Sequence, residues 1–234
     1  MKLENKIAIV AGGTGSVGEG IVKVLMSEGA TVIVPTRSKD KEVNLKEYVR
    51  NVGCGKLNCI RASIGLYDGA QDFKKEVLEQ YGHIDLVIAS IGGWYAGHTL
   101  DEMPIDDWDM VMDNNLRAHF VFARTFIPIL KKQESGTYIN INGGAQEMII
   151  PWSGVISVVS AAQNKMTEVF AKEAEGHHYN VYTVAAYTMV NTRKSALQAT
   201  PDWVTAEDIG NYIVRLSNNE VTDKSVRHKL TERP

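Results

Sequence analysis

The residues of this chain best suited to holding a charged ligand lie in the run Val10-Ala11-Gly12-Gly13-Thr14-Gly15-Ser16-Val17-Gly18. Gly12, Gly15 and Gly18 recur at every third position, between an apolar run (residues 6–10) and a segment (residues 21–26) whose apolar side chains return at helical spacing. They therefore stand where a buried strand turns into a helix. Glycine there adopts positive φ and lets the backbone approach a ligand closely, and the unpaired amides and dipole at the helix start favour an anion. Thr14, Ser16 and Val17 complete this turn. Its position at the first turn of the chain, with a second strand about twenty residues on, points to a dinucleotide phosphate.

A second chemical signal follows that next strand, in Pro35-Thr36-Arg37-Ser38-Lys39. A carboxylate at this place holds the ribose hydroxyls of NAD, whereas a 2′-phosphate needs a cation and no nearby acid. The first carboxylate here is Asp40. Arg37 can stack on adenine or pair with a phosphate, and Ser38 adds a hydroxyl, so NADP is expected in preference to NAD. Cys54 and Cys59 are the only cysteines, with no histidine pair at ligand spacing. No metal site is expected, and both thiols read as reduced.

These groups need a scaffold. Apolar runs at residues 31–35, 57–62, 84–89, 137–141 and 181–185 read as further buried strands, and residues 41–50, 68–81, 106–132, 153–174 and 206–217 as helices. Near-continuous apolar strands alternating with long helices mean βαβ crossovers on one parallel sheet, a doubly wound fold in three α/β/α layers. No linker, repeat or low-complexity segment divides the 234 residues, so a single domain (1–234) is expected.

Composition narrows the partners. A formal charge of −3 without clustered basic residues argues against nucleic acid and against an anionic membrane surface. No apolar run is long enough to span a bilayer, and the first five residues lack the apolar core of a signal peptide, so a cytoplasmic location is expected.

Several landmarks in order give the chain a resemblance to the short-chain dehydrogenase/reductase family over essentially its whole length. They are the glycine loop; Ala89-Ser90-Ile91-Gly92-Gly93; Trp108 followed by Asn114-Asn115-Leu116; Tyr138-Ile139-Asn140-Ile141; Phe170-Ala171-Lys172-Glu173; and Ala206-Glu207-Asp208-Ile209. The resemblance implies a Rossmann-like fold, a small carbonyl or alcohol substrate, and a homodimer or homotetramer built on the two long helices. It implies further cofactor contacts from Ser63 and Ile64, from Ser90, Ile91 and Gly92, from Asn115, and from Thr188 and Thr192.

The family's reaction uses a tyrosine that exchanges a proton with the substrate oxygen, a lysine that tunes it, a serine that polarises the carbonyl and an asparagine that holds a relay water. The asparagine falls on Asn115. Running the family spacing onward without a gap puts the serine position at Gly143, the tyrosine at Ile156 and the lysine at Ser160. Three of the four groups are absent, and a positioned general acid is worth about 10²–10⁴ in rate.

Substitute polar groups are sought near the carboxyl ends of the strands. Asn142 can hydrogen-bond an oxyanion. Ser157 and Ser160 are hydroxyls on the helix face nearest the nicotinamide. Tyr187, where the family usually carries Pro-Gly, is the one phenol placed to reach the pocket from its side. His98 and His119 read as surface or interface histidines. The expected function is an atypical NADP(H) oxidoreductase with a non-standard proton donor. The alternatives are a non-redox lyase, isomerase or cyclase with a pocket of Trp94, Tyr95, Trp152 and Tyr187, or a catalytically silent NADP-binding protein.

Overall fold

In the computed structural model, which describes residues 1–233, the first apolar run forms β1 (Ile7–Ala11). All five residues are buried, as a strand covered by helices on both faces requires. Strands and helices then alternate: α1 (Ser16–Ser27), β2 (Thr31–Thr36), α2 (Lys39–Val49), β3 (Lys56–Arg61), α3 (Tyr67–Tyr81) and β4 (Leu86–Ala89). After β4 come α4 (Ile105–Val111), a π-helical turn (Met112–Arg117), α5 (Ala118–Gln133), β5 (Thr137–Gly143), a 3₁₀ turn (Gly144–Gln146), α6 (Gly154–Glu173) and β6 (Asn180–Ala186). Short strands β7 (Val190–Asn191) and β8 (Val204–Thr205), then α7 (Ala206–Ser217) and β9 (Arg227–Leu230), follow.

Seven of these strands form one parallel sheet in the order β3-β2-β1-β4-β5-β6-β9, while β7 and β8 pair separately. Alternate residues of β1 serve two cores. Ala8 and Val10 pack with Ile21, Leu25, Leu45 and Ile209 on the side of α1, α2 and α7. Ile7, Ile9 and Ala11 pack with Phe73, Phe122 and Phe126 on the side of α3 and α5. The result is the three-layer doubly wound domain expected. Strand order reverses between β1 and β4, and the loops leaving the carboxyl ends of those strands diverge to open a crevice there.

Two elements differ from expectation. The helix expected over residues 106–132 is interrupted by the π turn, because Asn115 directs its polar groups away from the helix and into the neighbouring loop and α6. The seventh strand, β9, carries no apolar run. It is a four-residue edge strand, Arg-His-Lys-Leu, in which only His228 and Leu230 turn inward. No helix among the described residues is long and apolar enough to cross a membrane.

Candidate functional site

The crevice at the switch point is a cavity of about 600 Å³. Ten of the expected cofactor residues line it: Gly12, Thr14 and Gly15 after β1, Arg37 and Ser38 after β2, Ser63 and Ile64 after β3, and Ser90, Ile91 and Gly92 after β4. Steric demand explains the glycines. Gly12 has φ +78°, and a Cβ on it would lie 1.9 Å from the Ser90 carbonyl oxygen. A Cβ on Gly18 would lie 2.1 Å from the Gly12 carbonyl oxygen. This weave draws the start of α1 against the sheet. No side chain caps α1, so the amides of its first turn stay available to a ligand oxygen. Ser16, Val17 and Gly18 stand outside the lining; Val17 packs toward the core and Gly18 is buried.

At the end of β2, Ser38 caps α2 by accepting from the Lys41 amide at 3.3 Å. Lys41 itself lines the cavity, a residue the sequence reading passed over. Helical side chains lean toward the N-terminus, so a lysine in the first turn of α2 reaches back over its cap. Lys39 and Lys46 pair with Glu42, whereas among the described residues Arg37 and Lys41 have no ion-pair partner. Two uncommitted cations thus face a cavity whose β2 rim lacks a carboxylate. The glycine cradle, free helix amides and these cations together fit a phosphorylated nucleotide.

Asn115 is buried, and its side chain is fully paired with Gly93: Oδ1 accepts from the Gly93 amide at 3.1 Å, and Nδ2 donates to the Gly93 carbonyl at 2.9 Å. Gly92, at φ +102°, permits this approach, since a Cβ there would lie 2.7 Å from Asn115 Oδ1. The Asn115 carbonyl accepts from Gln163 Nε2 at 3.0 Å. An amide from α6 therefore engages the backbone of the residue to which the family resemblance assigns a relay water. Nothing in the local sequence singled out Gln163, because its role depends on the approach of α6 to the π turn.

The substitute groups fare differently. Asn142 Nδ2 donates to the Ser160 carbonyl at 2.9 Å, and its Oδ1 accepts from the Gly143 amide at 2.8 Å, so Asn142 ties β5 to α6. Ser160 is buried, and Ile156 lies in an apolar cluster with Val111, Ala145, Val155 and Val159. Ser157 donates to the Met148 carbonyl. Thr188 accepts from the Val204 amide and donates to the Met189 carbonyl, and Thr192 contacts Ser195; both hydroxyls hold the β7–β8 region together.

Tyr187 lies against Gly144, where an added Cβ would be 3.5 Å from its ring, and its hydroxyl accepts from Gln146 Nε2 at 3.2 Å. Burial and the neighbouring Glu147 carboxylate raise its pKa, and Lys229 opposes them.

His119 is neither at the surface nor at an open face. It is fully buried, its Nε2 stands 3.0 Å from the Ile91 carbonyl, and desolvation holds its pKa down to about 4. His98 is exposed beside Tyr95, which donates to Asp107 at 2.6 Å. Trp94 and Trp152 project into solvent. Of the four aromatic residues expected to share a pocket, Tyr95 is engaged by Asp107 and Tyr187 by Gln146, Trp94 and Trp152 are exposed, and none lines the crevice. Further exposed apolar side chains, Met148, Ile149, Met189 and Leu197, lie in the segments after β5 and β6. Among the described residues, no group of histidine, cysteine and acidic side chains is placed to hold a metal.

The fold and crevice have counterparts among known proteins. A metagenomic short-chain oxidoreductase solved in complex with NADP superposes with a TM-score of 0.83 at 22% identity, covering 100% of this chain and 99% of that one. A putative short-chain dehydrogenase/reductase from Burkholderia xenovorans reaches a TM-score of 0.88 at 18% identity, with 99% and 96% covered. In sequence, an uncharacterized oxidoreductase of Staphylococcus aureus (strain MRSA252) is 28% identical over 171 residues, 73% of this chain and 72% of its own length. A 3-oxoacyl-[acyl-carrier-protein] reductase of Thermotoga maritima is 26% identical over 189 residues, 79% of this chain and 74% of its own length. The family model described as short chain dehydrogenase matches residues 6–201. With that match over most of the chain, and with the sheet order and glycine-cradled crevice in place, this protein belongs to the short-chain dehydrogenase family of oxidoreductases.

Proposed function

We propose that this protein is an NADP(H)-dependent oxidoreductase acting on a small, largely apolar carbonyl compound or its alcohol, with a proton donor other than the family's tyrosine. The observation that carries the reading is the pair of uncommitted cations, Arg37 and Lys41, on a glycine-cradled cavity where the turn after β2 has no carboxylate until Asp40. In this reading Gly12, Thr14 and Gly15 hold the pyrophosphate, Arg37, Ser38 and Lys41 the 2′-phosphate, Ser63 and Ile64 the adenine, and Ser90 to Gly92 the ribose beyond. The bound nicotinamide supplies or accepts hydride. The exposed Trp94, Met148 and Trp152 in the loops after β4 and β5 favour a substrate with little charge.

Gly143, Ile156 and Ser160 occupy the family's serine, tyrosine and lysine positions in this reading. Of the substitutes, Asn142 has both side-chain polar atoms engaged, and the alcohol of Ser160 is a weak acid. Tyr187 accepts from Gln146 and lies beside the Glu147 carboxylate and the Lys229 ammonium, and of the three substitutes it is the one with an acidic O–H. Exposed Phe120, Val158 and Val169 on α5 and α6 supply the face for a homodimer or homotetramer.

Calorimetry with NADPH and NADH, followed by NADPH oxidation with a panel of ketones, aldehydes and quinones, tests the proposal. Binding of NADPH with a clear margin over NADH, and turnover with at least one panel member, is expected; no association with either nucleotide refutes it. A second reading, NADP binding without turnover, draws on the burial of Ile156 among apolar side chains where the family's donor stands. Tight NADPH binding with no turnover on the whole panel selects it.

A further inference from the structure

The loop after β5 and the end of β6 meet β9 in a cluster of charged and phenolic groups that neither the glycine crevice nor the positions on α6 account for. Tyr187 follows β6 and is anchored by its own amide, which donates to the Leu230 carbonyl of β9 at 2.9 Å. Its ring packs on Gly144, one residue past the family's serine position, and Gly143 itself pairs in register with Ala186. Lys229 Nζ stands 5.0 Å from the centre of that ring and 2.6 Å from Glu147 Oε2. Gln146 donates to the phenol oxygen, and its own Oε1 is buried without a protein partner.

We propose that Tyr187 exchanges the proton with the substrate oxygen, and that Lys229 and Glu147 beside it set its proton affinity. A tyrosine–lysine couple is thereby assembled from the end of β6 and from β9, in place of one carried on α6. The inference rests on the function proposed above and names the donor that reading requires.

The chemistry balances. In carbonyl reduction, hydride from the bound nicotinamide forms the new C–H bond while the carbonyl π pair moves to oxygen. That oxygen takes the Tyr187 Oη proton, and the phenolate recovers a proton from the Lys229 ammonium, which is exposed and refilled by solvent. The net change is ketone, NADPH and one proton to alcohol and NADP⁺. The amide of Gln146, donating to the phenol oxygen, stabilises the transient phenolate.

Other charges complete the surroundings. Arg227 on β9 pairs with Glu147 at 2.8 Å and with Glu168 of α6 at 3.3 Å, and Glu168 also pairs with Lys165. The acidic neighbours are thus held by basic ones, and Lys229 is the cation nearest the phenol ring.

Phenolate absorbance in the cofactor-free protein reads the couple without turnover. Subtracting the titration of Tyr187→Phe isolates one phenol. Glu147→Gln should lower its midpoint and Lys229→Met raise it, each by about one pH unit; Lys229→Arg, which keeps the charge, should restore the original midpoint. In NADPH oxidation with a reducible ketone, Tyr187→Phe should lower kcat by about 10²-fold or more, and the alkaline limb of the pH profile should follow the same shifts. NADPH affinity should be unchanged in all these variants. A Tyr187 midpoint indifferent to both charge substitutions, or a Tyr187→Phe enzyme with full kcat, overturns this proposal while leaving the cofactor reading intact. Wild-type protein that binds NADPH but reduces nothing overturns both proposals of turnover, and failure to bind NADPH overturns the cofactor reading itself.

Discussion

Arg37 shows what a single residue contributes. It needs only to follow β2 and to lack a neighbouring acid, and both facts are legible in the primary order of residues 35–40. Because a hydrogen bond to a charged group is worth about 1.5–3 kcal/mol, Arg37→Asp should weaken NADPH binding roughly 10- to 100-fold while changing NADH binding far less. Titration calorimetry with both nucleotides checks this, and equal losses would show that the turn does not read the 2′-phosphate.

His119 is the opposite case, since its environment is invisible in its neighbours along the chain. Burial lowers its pKa from 6.5 to about 4, so between those values the unfolded chain binds a proton that the folded chain refuses. Stability contributed by the neutral ring is therefore present above about pH 6.5 and is lost as pH falls toward 4. The loss approaches on the order of 3 kcal/mol at the lower limit. Urea unfolding across that window should show the decline in the wild type and a flatter profile in His119→Gln, which keeps a donor for the Ile91 carbonyl.

At the scale of elements, the segment between β6 and α7 is held to α1 by a defined set of contacts. Arg193 forms two hydrogen bonds with Glu19, at 3.1 and 2.7 Å, and lies 4.7 Å over the Tyr48 ring of α2. Tyr48 and Lys23 both reach Glu207 at the start of α7. Glu19 is nearly buried, with its side chain 8% exposed, whereas Arg193 is 49% exposed. Removing the arginine strands the carboxylate, so Arg193→Ala should cost about 1–2 kcal/mol, and adding Glu19→Gln should recover part of it. Limited proteolysis should cut the segment of residues 188–203 faster in the single variant than in the double one.

On α6, Ile156 and Ser160 lie one turn apart. Ile156→Tyr with Ser160→Lys should place a phenol and an ammonium on the same helix face, at an overpacking cost of about 1–3 kcal/mol in the apolar cluster around Ile156. NADPH-dependent reduction that rises above the wild type with the ketone panel would support the ungapped register. A folded variant with no gain would count against it.

For the molecule as a whole, a ligand that binds only the native state stabilises it by mass action. NADPH at about 100 times its dissociation constant should add about 2.7 kcal/mol to unfolding, and NADH at the same concentration distinctly less. A thermal-shift series with both nucleotides reads this difference, and equal shifts would argue against the NADP preference. The effect involves the whole sheet because the crevice is built from the carboxyl ends of four strands, β1 to β4, so its walls exist only when those strands are paired.

Periodic apolar runs, the glycine spacing and the basic turn after β2 are local patterns, since strand burial, helix register and turn geometry are settled within a few residues. They were enough to set out the doubly wound sheet and five residues of the crevice, Gly12, Thr14, Gly15, Arg37 and Ser38, while Ser63, Ile64, Ser90, Ile91 and Gly92 came through the family resemblance. The π turn, β9 and the partners of polar side chains were not legible, because each depends on segments distant in the chain. Asn115 needs both Gly93 and Gln163, Asn142 needs Ser160, and Tyr187 meets Lys229 only when β9 joins β6. A side chain's type is written in the sequence, but whether its donor or acceptor remains free for chemistry is decided by tertiary packing, because buried polar groups seek whichever partner the fold brings nearest.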